Sequence, residues 1–288
     1  MTTQVQLGLI GSQISHSLAP RFHELAGLHS GLNVSYELIQ LEPDQEGDLS
    51  DVLARLRDRG FRGVNVTYPF KQRVLDFVDR LEKDISDLGA VNTVVFDDGA
   101  THGYNTDYSG LVNRWVGAGR DQPGQVALLG AGGVGRAAAF AFAALGADQL
   151  RVVDPEKSRA RDLVAALSSS YPDLAVDLVD SQTDAVAGAD GVFNATPVGM
   201  YFNPGSPVDL SAIVDQRWVY DAIYAPVRTP LIIRAEQMGI LTLDGFELFI
   251  GQGIDAYSKF IGTPLPVEIS RQVERTLRPI VEQLVDGD

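Results

Sequence analysis

The 288-residue chain contains no cysteine. That absence excludes a disulfide framework, a thiol nucleophile and a thiolate metal site, and it fits a reducing compartment. Basic residues are also scarce, 23 against 38 acidic, so the formal charge is −15 and the isoelectric point is near 4.6. This balance opposes binding to nucleic acid or to an anionic membrane, and an anionic small molecule would need strong local donors. Histidine is sparse too. His16, His23, His29 and His102 show no spacing with carboxylates that suggests a metal, so they are expected to be structural or surface residues and no metal is expected. The longest apolar run, residues 126–147, approaches the roughly 20 residues of a membrane span but is interrupted by glycines and Arg136. A short strand, a glycine turn and a mostly buried helix explain it better. The start, MTTQVQLGLIG, lacks a basic region and a cleavage-like site; it reads as a first strand, and the expected location is the cytoplasm.

Lysine is the rarer cation: only Lys71, Lys83, Lys157 and Lys259 stand among the 23 basic residues, so each lysine invites a reason. Lys71 lies in VTYPFKQ, between a buried-looking strand and a helix-like start. One reason is plain, a helix former with a solvated tip. The other is chemical: an amine, unlike a guanidinium, can lose its proton in suitable surroundings and exchange it with a substrate.

With 45% hydrophobic residues the chain can bury one large domain or two modest ones. The first hundred residues alternate β-like and helical runs: strands over 5–10, 35–41 and 63–67, helices over 20–30 and through Asp58, and one more helix after Pro69. That alternation predicts a mostly parallel sheet, with a hairpin of 91–96 and 100–104 around Asp97-Asp98-Gly99. A second series follows Gln125: VALLG, LRVVD, DLAVDLV, GVFNAT, WVYDAIY and ILTLDG, six strands separated by helices. The prediction is an α/β chain of two α/β domains with a cleft between them, the second a doubly wound Rossmann-type parallel sheet. Residues 108–245 form the expected dinucleotide domain. Residues 1–107 and 246–288 form the expected substrate domain, the latter stretch as two helices separated by Gly262-Thr263-Pro264.

Gly130-Ala131-Gly132-Gly133-Val134-Gly135 fits G-x-G-x-x-G, follows a strand and opens the helix RAAAFAFAAL. The glycines permit a tight turn and close approach of a pyrophosphate, whose charge meets the helix N-terminus. Asp154 ends the next strand at the interval where a carboxylate can bond a ribose diol, which favours NAD over NADP. Lys157, Arg159 and Arg161 nearby would soften that preference.

A dinucleotide domain beside a second α/β domain makes the polar strand ends of the first domain candidates: Ser15, Ser17, Asn65, Thr67, Asn92 and Asp107. Each has a local alternative. Ser17 can cap the helix near Pro20, Asn92 can satisfy turn backbone, and Asp107 can cap the helix that begins at Tyr108.

These residues resemble the shikimate and quinate dehydrogenase family along nearly the whole chain, through SHSLAP, NVTYPFK, LGAVNT, GYNTD, GAGGVG, NATPVGM and Gly251-Gln252-Gly253. The resemblance implies that Lys71 and Asp107 form a catalytic pair and that Ser17, Asn65, Thr67, Asn92 and Gln252 bind the carboxylate and hydroxyls of a cyclic polyol. It also places Thr196, Pro197 and Val198 of NATPVGM, Ile223, Gly245 and Arg159 with the glycine loop at the cofactor. Oxidation of a secondary alcohol needs hydride loss from carbon and proton loss from oxygen, and a lysine amine held by a carboxylate suits the proton. Two departures bear on specificity. Ala19 stands where many family members carry a second hydroxyl, at a cost on the order of 1.5 to 3 kcal/mol for a lost bond to a charged carboxylate. Asp154-Pro155-Glu156 stands where NADP-using members carry Asn-Arg-Thr, which resembles the NAD-using quinate/shikimate branch.

The leading expectation is therefore an NAD-dependent quinate or shikimate dehydrogenase, monomer or homodimer, with no nucleic acid or membrane partner. A sibling enzyme acting on aminoshikimate or a cyclitol is the alternative that Ala19 raises. A non-catalytic dinucleotide-binding regulator is the alternative from another class, and it has no need of Lys71 and Asp107.

Overall fold

The computed structural model describes residues 3–42 and 48–283, and it divides into two compact units. The first comprises Met1–Thr106 with Gln252–Leu277, the second Asp107–Gly251 with Arg278–Asp288. Asp107 and the stretches 246–251 and 278–283, all assigned to the substrate domain on sequence, thus fall in the second unit.

The first unit begins β1 (Gln4–Gly11), α1 (Ala19–His29), β2 (Asn33–Gln40), α2 (Asp48–Asp58) and β3 (Gly63–Val66). It continues with β4 (Arg80–Leu81), β5 (Thr93–Asp97) and β6 (Ala100–Tyr104). These strands form one sheet in the order β2-β1-β3-β5-β6-β4. The β1–β2 and β1–β3 pairs are parallel, whereas β3–β5 and β5–β6 are antiparallel. The sheet is thus mixed: parallel where βα crossovers return the chain and again at β4–β6, antiparallel at β3–β5 and β5–β6. The β5–β6 hairpin turns on Asp98 and Gly99 with φ of 47° and 78°, both in the left-handed region that a tight two-residue turn requires.

The helix expected after Pro69 does not form. Two short 3-10 turns, Arg73–Phe77 and Lys83–Ile85, flank β4 instead. The cause is a non-local clamp. Asp79 accepts hydrogen bonds from the backbone N–H and hydroxyl of Thr101 at 2.7 and 2.9 Å, while the Asp79 N–H bonds Thr101 in return. Those bonds pull Arg80 and Leu81 alongside His102 and Gly103 of β6, which the helical spacing of Val74, Phe77, Val78 and Leu81 does not reveal.

The second unit contains α3 (Thr106–Gly117, from its second residue), β7 (Gln125–Leu129), α4 (Gly133–Ala144), β8 (Gln149–Val153), α5 (Lys157–Ser170) and β9 (Ala175–Leu178). Next come α6 (Gln182–Val186), β10 (Gly191–Asn194), β11 (Trp218–Asp221), α7 (Pro230–Gln237) and β12 (Leu241–Leu243). All six strands are parallel, in the order β12-β11-β10-β7-β8-β9. The strand order reverses between β7 and β10, so the C-terminal ends of those strands mark the crevice where such sheets bind ligands. Strands buried on both faces read as nearly continuous apolar runs, and Val126, Ala127, Leu128, Leu129, Val192 and Phe193 are all fully buried. The apolar run at 126–147 is thus a strand, a loop and a buried helix. Among the described residues no helix is long and apolar enough to cross a membrane. Helices α8 (Gly245–Ile261) and α9 (Val267–Gln283) complete the chain, and the boundary between the units runs through both.

Candidate active site

Of the residues picked out on sequence, Ser17, Ala19, Asn65, Thr67, Lys71, Asn92 and Gln252 belong to the first unit; Asp107 and every cofactor candidate belong to the second. In the first unit the loops that follow β1 and β3 are tied together. Thr67 donates its N–H to the Ile10 carbonyl at 2.9 Å, and Ser12 donates its N–H to that of Tyr68 at 3.0 Å. Lys71, half-buried, follows directly, and its carbonyl accepts the Val91 N–H at 2.7 Å, which fixes its backbone beside Asn92. Ser17 is not the N-cap of α1, which is Leu18 with no side-chain bond; its Oγ accepts the Ala19 N–H at 3.2 Å in a local turn, which leaves the hydroxyl proton to point elsewhere. Tyr68, 73% exposed, stands beside this motif.

Under these loops lies a buried polar chain. The Tyr36 hydroxyl donates to Asn65 Oδ1 at 2.8 Å, and Asn65 Nδ2 donates to Thr93 Oγ1 at 2.9 Å and to the Asn92 carbonyl at 3.3 Å. Asn65 therefore has both amide protons and its oxygen engaged inside the unit. Asn92 differs. Its Oδ1 accepts from the N–H and hydroxyl of Thr106 at 2.7 and 3.1 Å and from Thr93 at 3.0 Å, so these bonds engage its oxygen and not its amide nitrogen, which only donates. His23 closes the chain, stacked on Tyr36 at 4.9 Å and packed against Tyr257 and Phe260. Burial pushes its pKa down to about 3, against an opposing hydrogen bond with Asn65. Burial also pushes the Tyr36 phenol well above its ordinary value.

In the second unit the glycine loop sits at the C-terminal end of β7. Gly130 adopts φ of 97°, and a Cβ on Gly135 would lie 1.9 Å from the Gly130 carbonyl oxygen, so neither position accepts a side chain without moving backbone. Gly132 faces open space, with no atom within 4 Å of where its Cβ would be. It caps α4 with no side-chain bond, and the first turn of α4 carries no acid, so the helix presents free N–H groups and its positive end. A pyrophosphate fits this cradle.

Asp154 joins that loop to the next strand. It is 6% exposed; Oδ2 accepts the Ala131 N–H at 2.7 Å and Oδ1 accepts the Glu156 N–H at 2.8 Å. Thr196 meets the loop from the other side, since a Cβ on Gly130 would touch Ala195 and Thr196 at 3.1 Å. Pro197 and Val198 follow it, with the Val198 N–H bonded to Thr196 Oγ1 at 3.2 Å. Gly245 and Ile223 come together further along the edge: the Gly245 N–H bonds the Ile223 carbonyl at 3.2 Å, and a Cβ on Gly245 would lie 2.3 Å from Ile223 backbone. Glycine loop, Asp154, Thr196 and Ile223 thus occupy the C-terminal edge of one sheet. Arg159 is exposed on α5 and paired with Glu156.

Sequence reasoning passed over the network that shapes this edge. Asp221 ends β11 fully buried, and accepts from Thr229 Oγ1 at 2.7 Å, Asn194 Nδ2 at 2.9 Å and the Ile223 N–H at 3.1 Å. Asn194 in turn accepts from the N–H and hydroxyl of Thr196 at 3.0 and 2.7 Å. Burial raises the Asp221 carboxyl to about 6, against the three donors that favour its ionised form. A polar residue closing an otherwise apolar strand, as in GVFN and WVYD, is the feature that points to both.

A six-stranded parallel sheet with this glycine loop at its switch point, and an acid bonded to the loop from the next strand, defines the class of dinucleotide-binding α/β proteins. A family model described as shikimate dehydrogenase substrate binding domain matches residues 9–94, and one described as NADP oxidoreductase coenzyme F420-dependent matches residues 125–207. A quinate/shikimate dehydrogenase (NAD(+)) of Corynebacterium efficiens is 40% identical, over 93% of this chain and 96% of that protein. A shikimate dehydrogenase (NADP(+)) of Pseudarthrobacter chlorophenolicus is also 40% identical, over 91% of each chain. The solved quinate dehydrogenase from Corynebacterium glutamicum in complex with NAD superposes with a TM-score of 0.88 at 38% identity, covering 96% of this chain and all of that one. The chain belongs to the shikimate/quinate dehydrogenase family. Overall identity does not separate the NAD and NADP relatives, so the cofactor has to be read from residues 154–159.

Proposed function

We propose that this protein is an NAD-dependent oxidoreductase that moves hydride between the nicotinamide and a ring carbon of quinate or shikimate, interconverting a secondary hydroxyl and the 3-dehydro ketone. The observation that carries the reading is the buried Asp154 carboxylate hydrogen-bonded to the glycine loop at Ala131, a geometry in which its remaining lone pairs accept a free ribose diol and its charge opposes a 2′-phosphate. The quinate dehydrogenase solved in complex with NAD, which superposes with a TM-score of 0.88, points the same way.

In this reading Gly130, Ala131, Gly132, Gly133, Val134 and Gly135 take the pyrophosphate. Thr196, Pro197, Val198, Ile223 and Gly245 line the rest of the cofactor, with Arg159 beside the ribose. NAD, when bound, supplies the hydride acceptor. Lys71 takes the proton that leaves the substrate oxygen on oxidation and returns it on reduction, and Asp107 orients the amine and the hydroxyl. The hydroxyl proton of Ser17 and the amide of Asn92 donate to the substrate, joined by Thr67 and Gln252. We assign Asn65 the task of holding Asn92 and Thr93 in place, since its own donors are engaged with them. Ala19 favours a second reading, a sibling enzyme for an aminated or carboxylate-free ring, because only Ser17 of the usual hydroxyl pair remains.

Initial rates of NAD and NADP reduction over quinate, shikimate and a carboxylate-free cyclitol test the proposal. The expected result is turnover of quinate or shikimate with kcat/KM for NAD at least about tenfold that for NADP, a difference of about 1.4 kcal/mol. Turnover of the cyclitol alone would establish the second reading, and equal use of both cofactors would remove Asp154 from the ribose.

A further inference from the structure

Tyr36 lies on β2, at one edge of the first sheet, and its ring is buried. Its register partner on β1 is Leu7 and that of Asn65 is Leu9, so the phenol crosses a whole strand to reach Asn65 Oδ1 on β3 at 2.8 Å. The line continues across the sheet. Asn65 stands opposite Thr93 of β5 and donates Nδ2 to its Oγ1 at 2.9 Å, and Thr93 donates its own proton to Asn92 Oδ1 at 3.0 Å. All four residues are buried, so none of them can replace a missing partner with bulk water. The proton direction is set at the head of the line. Burial pushes the Tyr36 phenol well above its ordinary value, so it stays a hydroxyl and donates. An amide has one accepting and one donating end; a donor on the Asn65 oxygen therefore aims its nitrogen at Thr93, which has its own proton left for Asn92. His23, stacked on Tyr36 at 4.9 Å and hydrogen-bonded to Asn65, holds the same corner.

We propose that Tyr36 is a positioning residue for the substrate site: its hydroxyl fixes which way the Asn65 amide faces, and through Asn65 and Thr93 it keeps the Asn92 oxygen engaged inside the unit, which reserves the Asn92 amide protons for a substrate oxygen. The inference rests on the proposed function, in which Asn92 donates to the substrate, and deepens it. A phenylalanine would fill the same space on β2 and keep the stack on His23, so the hydroxyl is what the phenol adds. Without it the Asn65 oxygen loses a donor, and the two orientations of its amide come closer in energy. In the flipped orientation that oxygen faces Thr93 and takes the proton that Asn92 now receives. Thr106 still donates to Asn92 from its N–H and hydroxyl, so Asn92 is loosened and not released.

The experiment compares steady-state oxidation of quinate and shikimate at saturating NAD by wild type, Tyr36→Phe and Thr101→Val, with the NAD Kd measured by calorimetry. Tyr36→Phe is expected to raise the substrate KM about tenfold, with kcat within about threefold and the NAD Kd within about twofold, the pattern of lost binding and not of lost chemistry. Thr101→Val removes a buried bond of the same unit, to Asp79, and is expected to lower the melting temperature while leaving KM within about twofold. A double-mutant cycle of Tyr36→Phe with Asn92→Ala is read as the calorimetric Kd of shikimate without cofactor, so that it does not depend on turnover. On top of Asn92→Ala, Tyr36→Phe is expected to weaken shikimate by no more than about twofold, because its route to the substrate is gone. An unchanged KM in Tyr36→Phe, an undiminished effect on top of Asn92→Ala, or an equal rise in Thr101→Val would overturn the inference and leave the proposed function standing. A wild type that turns over neither quinate nor shikimate would overturn both.

Discussion

A titratable side chain is buried in a polar network in each unit, His23 in the first, alongside Tyr36, and Asp221 in the second, and His23 and Asp221 respond to acid in opposite directions. The physics is the same in both: burial disfavours the charged form. For His23 the charged form is the protonated one, so its pKa falls to about 3. For Asp221 the charged form is the deprotonated one, so its pKa rises to about 6. The networks differ in what they offer. Asp221 faces three donors, suited to an anion, whereas His23 faces aromatic rings and a single opposing hydrogen bond with Asn65, which does not offset its burial.

The largest consequence falls on the first unit. Unfolded His23 takes a proton below its ordinary value of 6.5 while the folded form stays neutral to about 3, so stability is present at neutral pH and is lost as pH falls through that window. The full loss is about 5 kcal/mol. Opening free energies from hydrogen exchange at β1 and β3 amides, followed from pH 7 downward, should decline accordingly, and His23→Phe should flatten the slope. An equal slope in wild type and variant would break the comparison.

A smaller effect of opposite sign is expected in the second unit. Folded Asp221 holds its proton up to about pH 6, whereas the unfolded carboxyl releases it near 3.8. Its contribution is therefore fully present below 3.8 and is lost as pH rises through 6, after which the ionised group costs about 3 kcal/mol. Exchange at β10 and β11 amides should show this decline, and Asp221→Asn should remove it. Should β10 and β11 weaken with acid as β1 does, the donors around Asp221 outweigh its burial.

The same contrast between local and distant causes governs what could be read in advance. The glycine loop and the Asp98-Gly99 hairpin were legible because sterics at neighbouring residues dictate them. The inner strands β7, β10 and β11 were legible because parallel strands buried on both faces leave continuous apolar runs, whereas the half-exposed edge strands β9 and β12 were legible only from the alternation of the series. The stretch after Pro69 was not, because Asp79 and Thr101, which break its helical pattern, lie 22 positions apart. Asn65 illustrates the limit at the site: its residue type and place beside Thr67 point to a ligand, and only the positions of Tyr36, Thr93 and the Asn92 carbonyl show that its hydrogen bonds are internal. Glu156 was visible as a departure from the NADP-type pattern, but its bond to Arg159 is a matter of rotamers and not of spacing.

The division of labour proposed for the two units is tested most directly by Lys71→Ala, a change in the first unit read out against the cofactor held by the second. Steady-state kcat for quinate or shikimate oxidation and the calorimetric Kd for NAD are measured on the same preparation. The account predicts that kcat falls ~100-fold or more, about 2.7 kcal/mol, because the proton loses its acceptor, while the NAD Kd stays within about twofold. A kcat within a few-fold of wild type would contradict it and return Lys71 to the role of a solvated helix-flanking lysine.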